Sequence, residues 1–172
     1  MADEMTLEIE GFDELLQRIE ELEQGSGPFT AMIESTMLSA LATLEGAIKA
    51  RTPVNSGLLR GSVTSVMYGV PVAYGRSIEG AVGTPISYGA PVEYGRAAGK
   101  MPPVDAIELW VKRKGIASEG KERNVAFLIA RAIGRRGTQG AHMFRDGFEA
   151  ARPNIEKGFD QLLQQIVEGL AE

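Results

Sequence analysis

Two nearly identical nine-residue segments limit what this chain can fold into. Tyr68–Arg76 and Tyr88–Arg96 agree at seven of nine positions, and each carries two glycines, a proline and two tyrosines. This composition interrupts regular helices and is typical of turns and edge strands. We therefore expect a β-hairpin rich in glycine, proline and tyrosine, with a mobile tip around Gly75–Gly80, that projects from a helical body and contacts other subunits.

Apolar spacing predicts a long helix before these segments. In Phe29–Ala50, apolar residues recur every three or four positions, as on the buried face of a helix. Thr52-Pro53 ends this helix because proline cannot donate to the helical ladder and favours extended geometry in the residue before it. A shorter apolar pattern begins at Phe12 and ends at Gly25–Pro28, where we expect an N-terminal helix.

Helices and strands are also expected elsewhere. Predicted strands are Met5–Glu10, Ser62–Tyr68, Ile78–Gly83 and Ser87–Tyr94. One predicted helix starts at Pro102-Pro103, runs through Lys112–Lys114 and has Gly115 as its stop. Further predicted helices are Glu119–Ile133 and a C-terminal helix from Phe144 past Pro153, whereas Gly134–Gly140 is expected to be a loop. Whether Pro153 begins a helix or lies within one is left open by the sequence.

The expected fold class is α+β. A long helix would pack on a small antiparallel β-meander with a protruding hairpin, and additional helices would follow at the C-terminal side. The 172 residues fit a single domain. Its consecutive parts would be an N-terminal strand and helix (1–28), the long helix with the meander (29–96) and a C-terminal helical part (97–172).

Composition excludes several classes of site. The chain has no Cys and one His, so disulfides, thiolate metal sites and a multi-histidine site within one subunit are excluded. No apolar run approaches the roughly 20 residues of a membrane span. The first residues are acidic and lack the basic and apolar regions of a signal peptide. We expect no cofactor and no membrane contact, and a place in a cytoplasm or in something assembled there.

Charge is distributed unevenly along the chain. Residues 1–24 hold nine acidic residues and one Arg, whereas residues 112–136 hold eight basic residues and two acidic ones. Opposite charges at two places suit head-to-tail packing of copies in a ring. Two solvated helix faces would give the same pattern, since surface ion pairs contribute only about 0–1 kcal/mol. Both interpretations stay open at this point.

Catalytic signals are weak. His142, with Arg145 and Asp146, is the only cluster with acid–base potential, and the sequence supplies neither a positioned nucleophile nor a cause for a perturbed pKa. The glycine-rich Gly134–Gly140 lacks the spacing of a phosphate-binding loop. We expect that this chain is not an enzyme. A small hydrolase that uses His142 and Asp146 is a remote alternative.

Five motifs in series resemble one family. They are Thr52, Pro53, Ser56, Gly57, Leu59, Arg60 and Ser62; Val82-Gly83-Thr84, Tyr88, Val92-Glu93 and Gly95, with Gly89 where Ala is usual; Pro102–Gly115; Ala126–Gly140; and His142–Phe148. In this order they resemble the head–tail joining or tail-completion proteins of long-tailed phages, the gene-ten-like minor tail proteins of HK-type and lambda-type siphophages. The duplicated segment is the clearest departure from the family's pattern.

The resemblance implies a structural role in the virion. Such a protein would complete the tail or join it to the DNA-filled head, as a ring of copies in the neck. Its partners would be further copies of itself, the tail tube or terminator, and head connector proteins. Residues assigned to these contacts are Tyr74, Arg76, Tyr94 and Arg96 in the hairpin and Arg135 and Arg136 in the later loop. Tyr68 and Tyr88 are assigned to packing within the sheet.

The alternative function is nucleic-acid binding through the basic segment. Lys and Arg bind phosphates without reading bases, and such binding weakens with salt. The residues of this hypothesis are Lys112, Arg113, Lys114, Lys121, Arg123 and Arg131. Their spacing places most of them on the outer faces of helices, which favours solvated charge, and any DNA contact is expected to be weak.

Overall fold

A computed structural model describes residues 27–68 and 78–171 of the chain. Its helices are α1 (Pro28–Arg51), α2 (Leu58–Ser62), α3 (Gly89–Tyr94), α4 (Val104–Lys114), α5 (Glu122–Arg136) and α6 (Met143–Ala171). Its strands are β1 (Thr64–Tyr68), β2 (Glu79–Gly83), β3 (Gly95–Arg96) and β4 (Thr138–Gln139). The predicted strand Met5–Glu10 and the helix expected before Gly25 lie outside the described residues, as do residues 75–77 of the predicted hairpin tip. The α+β class is confirmed.

The chain divides into two compact units, each built from segments that are separated in sequence. The described residues of the first unit lie within Met1–Arg51, Val63–Thr84 and Phe144–Glu172, and those of the second within Thr52–Ser62 and Pro85–Met143. The expectation of a single domain stays a prediction. No helix among residues 27–68 and 78–171 combines the length and the apolar character that a membrane span requires.

The core of the first unit joins α1 to α6. Ile33 of α1 is fully buried. It clusters with residues of α6 that recur at helical spacing, namely Ala151, Ile155, Phe159, Leu162 and Ile166. Gly147 lets the helices approach closely, because a Cβ there would lie 2.6 Å from Cγ1 of Ile48. The predicted long helix is therefore confirmed, and Pro153 lies inside α6.

A two-stranded antiparallel sheet packs on α1. β1 pairs with β2 so that Thr64 faces Gly83 and Tyr68 faces Glu79. Leu41 of α1 contacts the sheet at Gly80, where a Cβ would lie 2.6 Å from a Leu41 methyl carbon. The Glu45 carboxylate accepts hydrogen bonds from the Ser65 backbone N–H at 2.8 Å and the Ser65 hydroxyl at 2.6 Å. The strand predictions Ser62–Tyr68 and Ile78–Gly83 are confirmed, apart from Ser62, which ends α2, and from Val63 and Ile78, which precede β1 and β2.

The predicted third strand, Ser87–Tyr94, is wrong. Residues Gly89–Tyr94 form helix α3, and its buried residues Gly89 and Glu93 are four positions apart, as in a helix. Pro91 is tolerated because it lies in the first turn, where an N–H has no helical partner. In place of the predicted meander, β1 and β2 form a two-stranded antiparallel sheet. Tyr88 immediately precedes α3 and is 43% exposed, so it does not pack within a sheet.

In the second unit, α4 and α5 pack against each other. Gly115 ends α4 in the left-handed conformation, and its N–H donates to the Lys112 carbonyl oxygen, as predicted. Ala126 and Ala130 of α5 are completely buried. Their small side chains allow the surrounding residues to pack close to the backbone of α5.

Candidate subunit-contact site

Two segments about 40 residues apart in sequence cross in the second unit. β3 pairs antiparallel with β4, so that Gly95 faces Gln139 and Arg96 faces Thr138. Two further backbone hydrogen bonds extend the pairing: Ala141 N–H donates to the Val92 carbonyl at 2.7 Å, and His142 N–H donates to the Glu93 carbonyl at 3.1 Å. We call residues 92–96 with residues 137–142 the glycine crossing.

Three glycines make this crossing sterically feasible. A Cβ would lie 2.3 Å from the Thr138 carbonyl oxygen at Gly95 and 2.0 Å from the Arg96 carbonyl oxygen at Gly137. At Gly140 it would lie 2.2 Å from the Glu93 carbonyl oxygen. Gly95 (φ 79°, ψ −166°) and Gly137 (φ 74°, ψ −163°) also occupy a backbone region that is essentially restricted to glycine. Gly137 and Gly140 thus serve the chain crossing, which explains them without a phosphate ligand.

Four of the six predicted contact residues lie in the crossing or directly beside it. Tyr94 and Arg96 belong to one of the crossing segments, and Arg135 and Arg136 directly precede the other. All four are exposed, and 53% of Tyr94 is accessible. The Arg96 guanidinium donates to the Lys100 carbonyl oxygen. Tyrosine and arginine are enriched among the residues that dominate binding energy at protein interfaces.

The local settings of these residues differ from those predicted. Tyr94 ends a helix and Arg96 lies in the two-residue strand β3, instead of a hairpin. Arg135 and Arg136 form the last turn of α5 instead of a loop. The helix extends past the predicted end at Ile133 because Gly134 is accommodated within it, and Gly137 ends it. Tyr74 and Arg76, the remaining two contact residues, lie outside the described residues.

The basic residues of the alternative hypothesis are all exposed. Lys112, Arg113 and Lys114 form the last turn of α4, Lys121 precedes α5, and Arg123 and Arg131 lie within it. Glu108 binds two of them, with its carboxylate oxygens 2.7 Å from Lys112 Nζ and 3.1 Å from Arg123 Nη1. Arg123 Nη1 also lies 2.9 Å from Asp105 Oδ1. Carboxylates within the unit therefore already balance part of the basic charge.

These ion pairs shift the pKa values of Glu108, Lys112 and Arg123 toward their charged forms. Hydrogen bonding from Lys112 lowers the pKa of Glu108, and the Arg123 guanidinium adds to this effect. The same hydrogen bond raises the pKa of Lys112. Asp105 and then Glu108 raise the pKa of Arg123. Glu108, Lys112 and Arg123 therefore stay ionised around neutral pH.

Sequence reasoning missed the outer face of α5. Phe127 and Leu128 are 47% and 61% exposed, although large apolar residues in a helix are expected to face the core. Arg131 and Arg135 are exposed on the same side of the helix, one and two turns further along. The sequence did contain a signal for the buried side, because Ala126 and Ala130 are four positions apart and lie on one face of the helix. The larger apolar residues of the other face gave a stronger hydrophobic pattern.

Two other places have limited chemical capacity. An open groove of about 310 Å³ between α1 and α6 is lined mainly by hydroxyl, amide and small apolar side chains, and none of its lining residues is ionisable. His142 precedes α6 with a positive φ of 49°, and Asp146 Oδ1 accepts a hydrogen bond from Arg145 Nε at 2.9 Å. Within residues 27–68 and 78–171, no group of three His, Asp or Glu side chains could hold a metal ion.

No family model, curated protein or solved structure matches this chain.

Proposed function

We propose that this chain is a structural virion protein that completes the tail of a long-tailed phage or joins it to the DNA-filled head. It would act as a ring of copies in the neck, bound to the tail tube or terminator and to head connector proteins. Assembly would take place in the host cytoplasm. The proposal rests on the five motifs in series and on the site that two of them form.

The glycine crossing is the observation that carries the proposal. The motif containing Val92, Glu93 and Gly95 and the motif ending in Gly137–Gly140 are distant in sequence, yet they supply the two strands of one crossing. Their glycines have a structural requirement, and the residues beside them are exposed tyrosine and arginine. A rigid backbone crossing that presents such side chains is suited to binding another protein.

The test is a joining assay with tails and DNA-filled heads assembled in the absence of this protein. Purified protein should bind one or both particles in multiple copies and restore joined particles. Arg135→Ala with Arg136→Ala, and separately Tyr94→Ala, should reduce binding to the particles. Tyr88→Ala and Arg113→Ala are the matched controls, because both residues are exposed and lie outside the crossing. A folded protein that binds neither particle would contradict the proposal.

Nucleic-acid binding is the second candidate, and exposed cations on the described surface favour it. Arg113, Lys121 and Arg131 are exposed and take part in none of the ion pairs among the described residues. Binding to a DNA duplex should then fall steeply with salt and weaken when these three residues become Ala. Absent or salt-independent binding would remove this candidate.

A further inference from the structure

The outer face of α5 combines exposed apolar area with positive charge. Phe127, Leu128, Arg131 and Arg135 lie on one side of the helix, opposite the buried Ala126 and Ala130. We call these four residues the α5 stripe. Arg131 and Arg135 belong to none of the ion pairs among residues 27–68 and 78–171. The stripe therefore offers both apolar contact and cationic partners to a ligand.

A matching ligand must be acidic and must carry apolar residues. Exposed apolar side chains are common on monomers, so Phe127 and Leu128 alone would not identify an occupant. Two arginines one turn apart add a requirement for negative charge, since electrostatic complementarity selects partners at interfaces. A basic partner would leave the two arginines without an opposite charge, and a purely polar partner would leave Phe127 and Leu128 without apolar contacts.

The chain itself contains a segment of this kind. Residues 1–24 hold nine of the 23 acidic residues of the chain and a single Arg. The same stretch carries apolar residues at helical spacing, namely Phe12, Leu15, Leu16, Ile19 and Leu22. It is thus complementary to the α5 stripe in both charge and apolar character.

We infer that the α5 stripe binds the acidic segment, residues 1–24, of a second copy of this chain. Each copy then offers a segment to one neighbour and a stripe to another, which is a heterologous contact. Such contacts form a ring when the rotation between neighbours closes. The inference deepens the proposed function by naming the surfaces that join neighbouring copies. It rests on the proposed function only for the claim that the copies form a ring.

Complementary variants of the full-length protein test this contact. In the segment variant, Asp13, Glu14, Glu20 and Glu21 are replaced by Asn or Gln. In the stripe variant, Arg131 and Arg135 are replaced by Glu. Masses are measured by sedimentation velocity at low and high salt, up to protein concentrations on the order of 100 μM. Circular dichroism checks that each variant keeps its helices.

Wild-type protein should form multi-copy species that grow with concentration and weaken with salt. Each variant alone should associate at least about tenfold more weakly than the wild type, because every contact then lacks one partner. Their mixture should form a one-to-one dimer and nothing larger, since only one productive pair of surfaces remains. Arg113→Glu with Lys121→Glu, an equal charge change outside the stripe, should associate like wild type.

Several results would overturn the inference. A wild-type monomer at every concentration would do so, as would a mixture of the variants that forms no dimer. Variants that self-associate like wild type would place the contact elsewhere. Protein that joins tails to heads normally with the segment variant, which leaves the predicted contact residues unchanged, would remove this contact while leaving the proposed function intact, so the two failures are distinguishable.

Discussion

The core of the first unit and the glycine crossing of the second are stabilised in opposite ways. Between α1 and α6, apolar side chains such as Ile33 and Phe159 fill the space between two helices. At the crossing, Gly95, Gly137 and Gly140 lack side chains, and their backbones approach too closely for a Cβ. The core depends on large side chains that fill space, whereas the crossing depends on positions without a side chain. Large-to-small substitutions should therefore disrupt the core, and substitutions that add a Cβ should disrupt the crossing.

The largest expected effect is on the apolar core. Phe159→Ala should lower the free energy of unfolding by about 3–5 kcal/mol, because it removes a buried ring and leaves a cavity. Phe159 is only 5% exposed. Val167→Ala on the same helix is the control, since Val167 is 61% exposed and should cost little. Urea unfolding measures both, and equal losses would show that the described packing is incorrect.

The glycine crossing should be sensitive to a single methyl group. Gly137→Ala should lower the free energy of unfolding by about 2–4 kcal/mol, because it adds backbone strain and a clash with the Arg96 carbonyl. Gly99→Ala is the matched control, since a Cβ there meets nothing within 4 Å. Thermal unfolding distinguishes the two variants. If Gly137→Ala were as stable as Gly99→Ala, the two strands could not cross as described.

A polar contact in the first unit should produce a smaller and pH-dependent effect. Hydrogen bonding from Lys49 and then Ser65 lowers the pKa of Glu45 below its ordinary value of 4.5. Ionised Glu45 therefore stabilises the fold above the unfolded-state pKa, and this contribution is lost as the pH falls through the folded-state value. Glu45→Gln should cost about 1 kcal/mol near pH 7 and progressively less below the ordinary value.

Urea unfolding of both proteins between about pH 7 and pH 3 measures this difference. Glu149→Gln, at an exposed position of α6, controls for the loss of one negative charge. A difference between wild type and Glu45→Gln that stays constant over this range would show that the Glu45 carboxylate is not held by Lys49 and Ser65.

The smallest effect is expected at the exposed ion pairs of the second unit. Glu108→Gln removes the carboxylate shared by Lys112 and Arg123, yet surface pairs of this kind contribute little to stability. Its melting temperature should be indistinguishable from that of the wild type, whereas DNA affinity should rise if the two freed cations contact phosphates. A large loss of stability would show that this cluster supports the packing of α4 on α5.

Helices were predictable where one apolar face is long and continuous. The spacing of Ile33, Leu41 and Ile48 indicated α1, and these residues are buried. Gly115 was recognised as a helix stop from its position after three basic residues. In α5 the same reasoning located the helix but not its buried side, because Ala126 and Ala130 contribute less hydrophobicity than the exposed Phe127 and Leu128.

The near-duplicate segments were misleading because similar sequence does not impose similar structure. Tyr68 ends strand β1, whereas Tyr88 in the second copy precedes helix α3. Glycine, proline and tyrosine fit an edge strand and also the first turn of a short helix. Burial of Gly89 and Glu93, which is a tertiary property, distinguishes the second copy as helical.

The sequence alone determined the α+β class, the long helices and the identity of most candidate contact residues. These follow from local periodicity and residue chemistry, which act over a few turns of chain. Only the tertiary structure decided that the segment with Tyr94 and Arg96 pairs with the segment that directly follows Arg135 and Arg136. The physical reason is that a close approach of two backbone segments at glycine residues leaves no periodic pattern in the sequence. The pairing of two segments about 40 residues apart is therefore visible only in the folded chain.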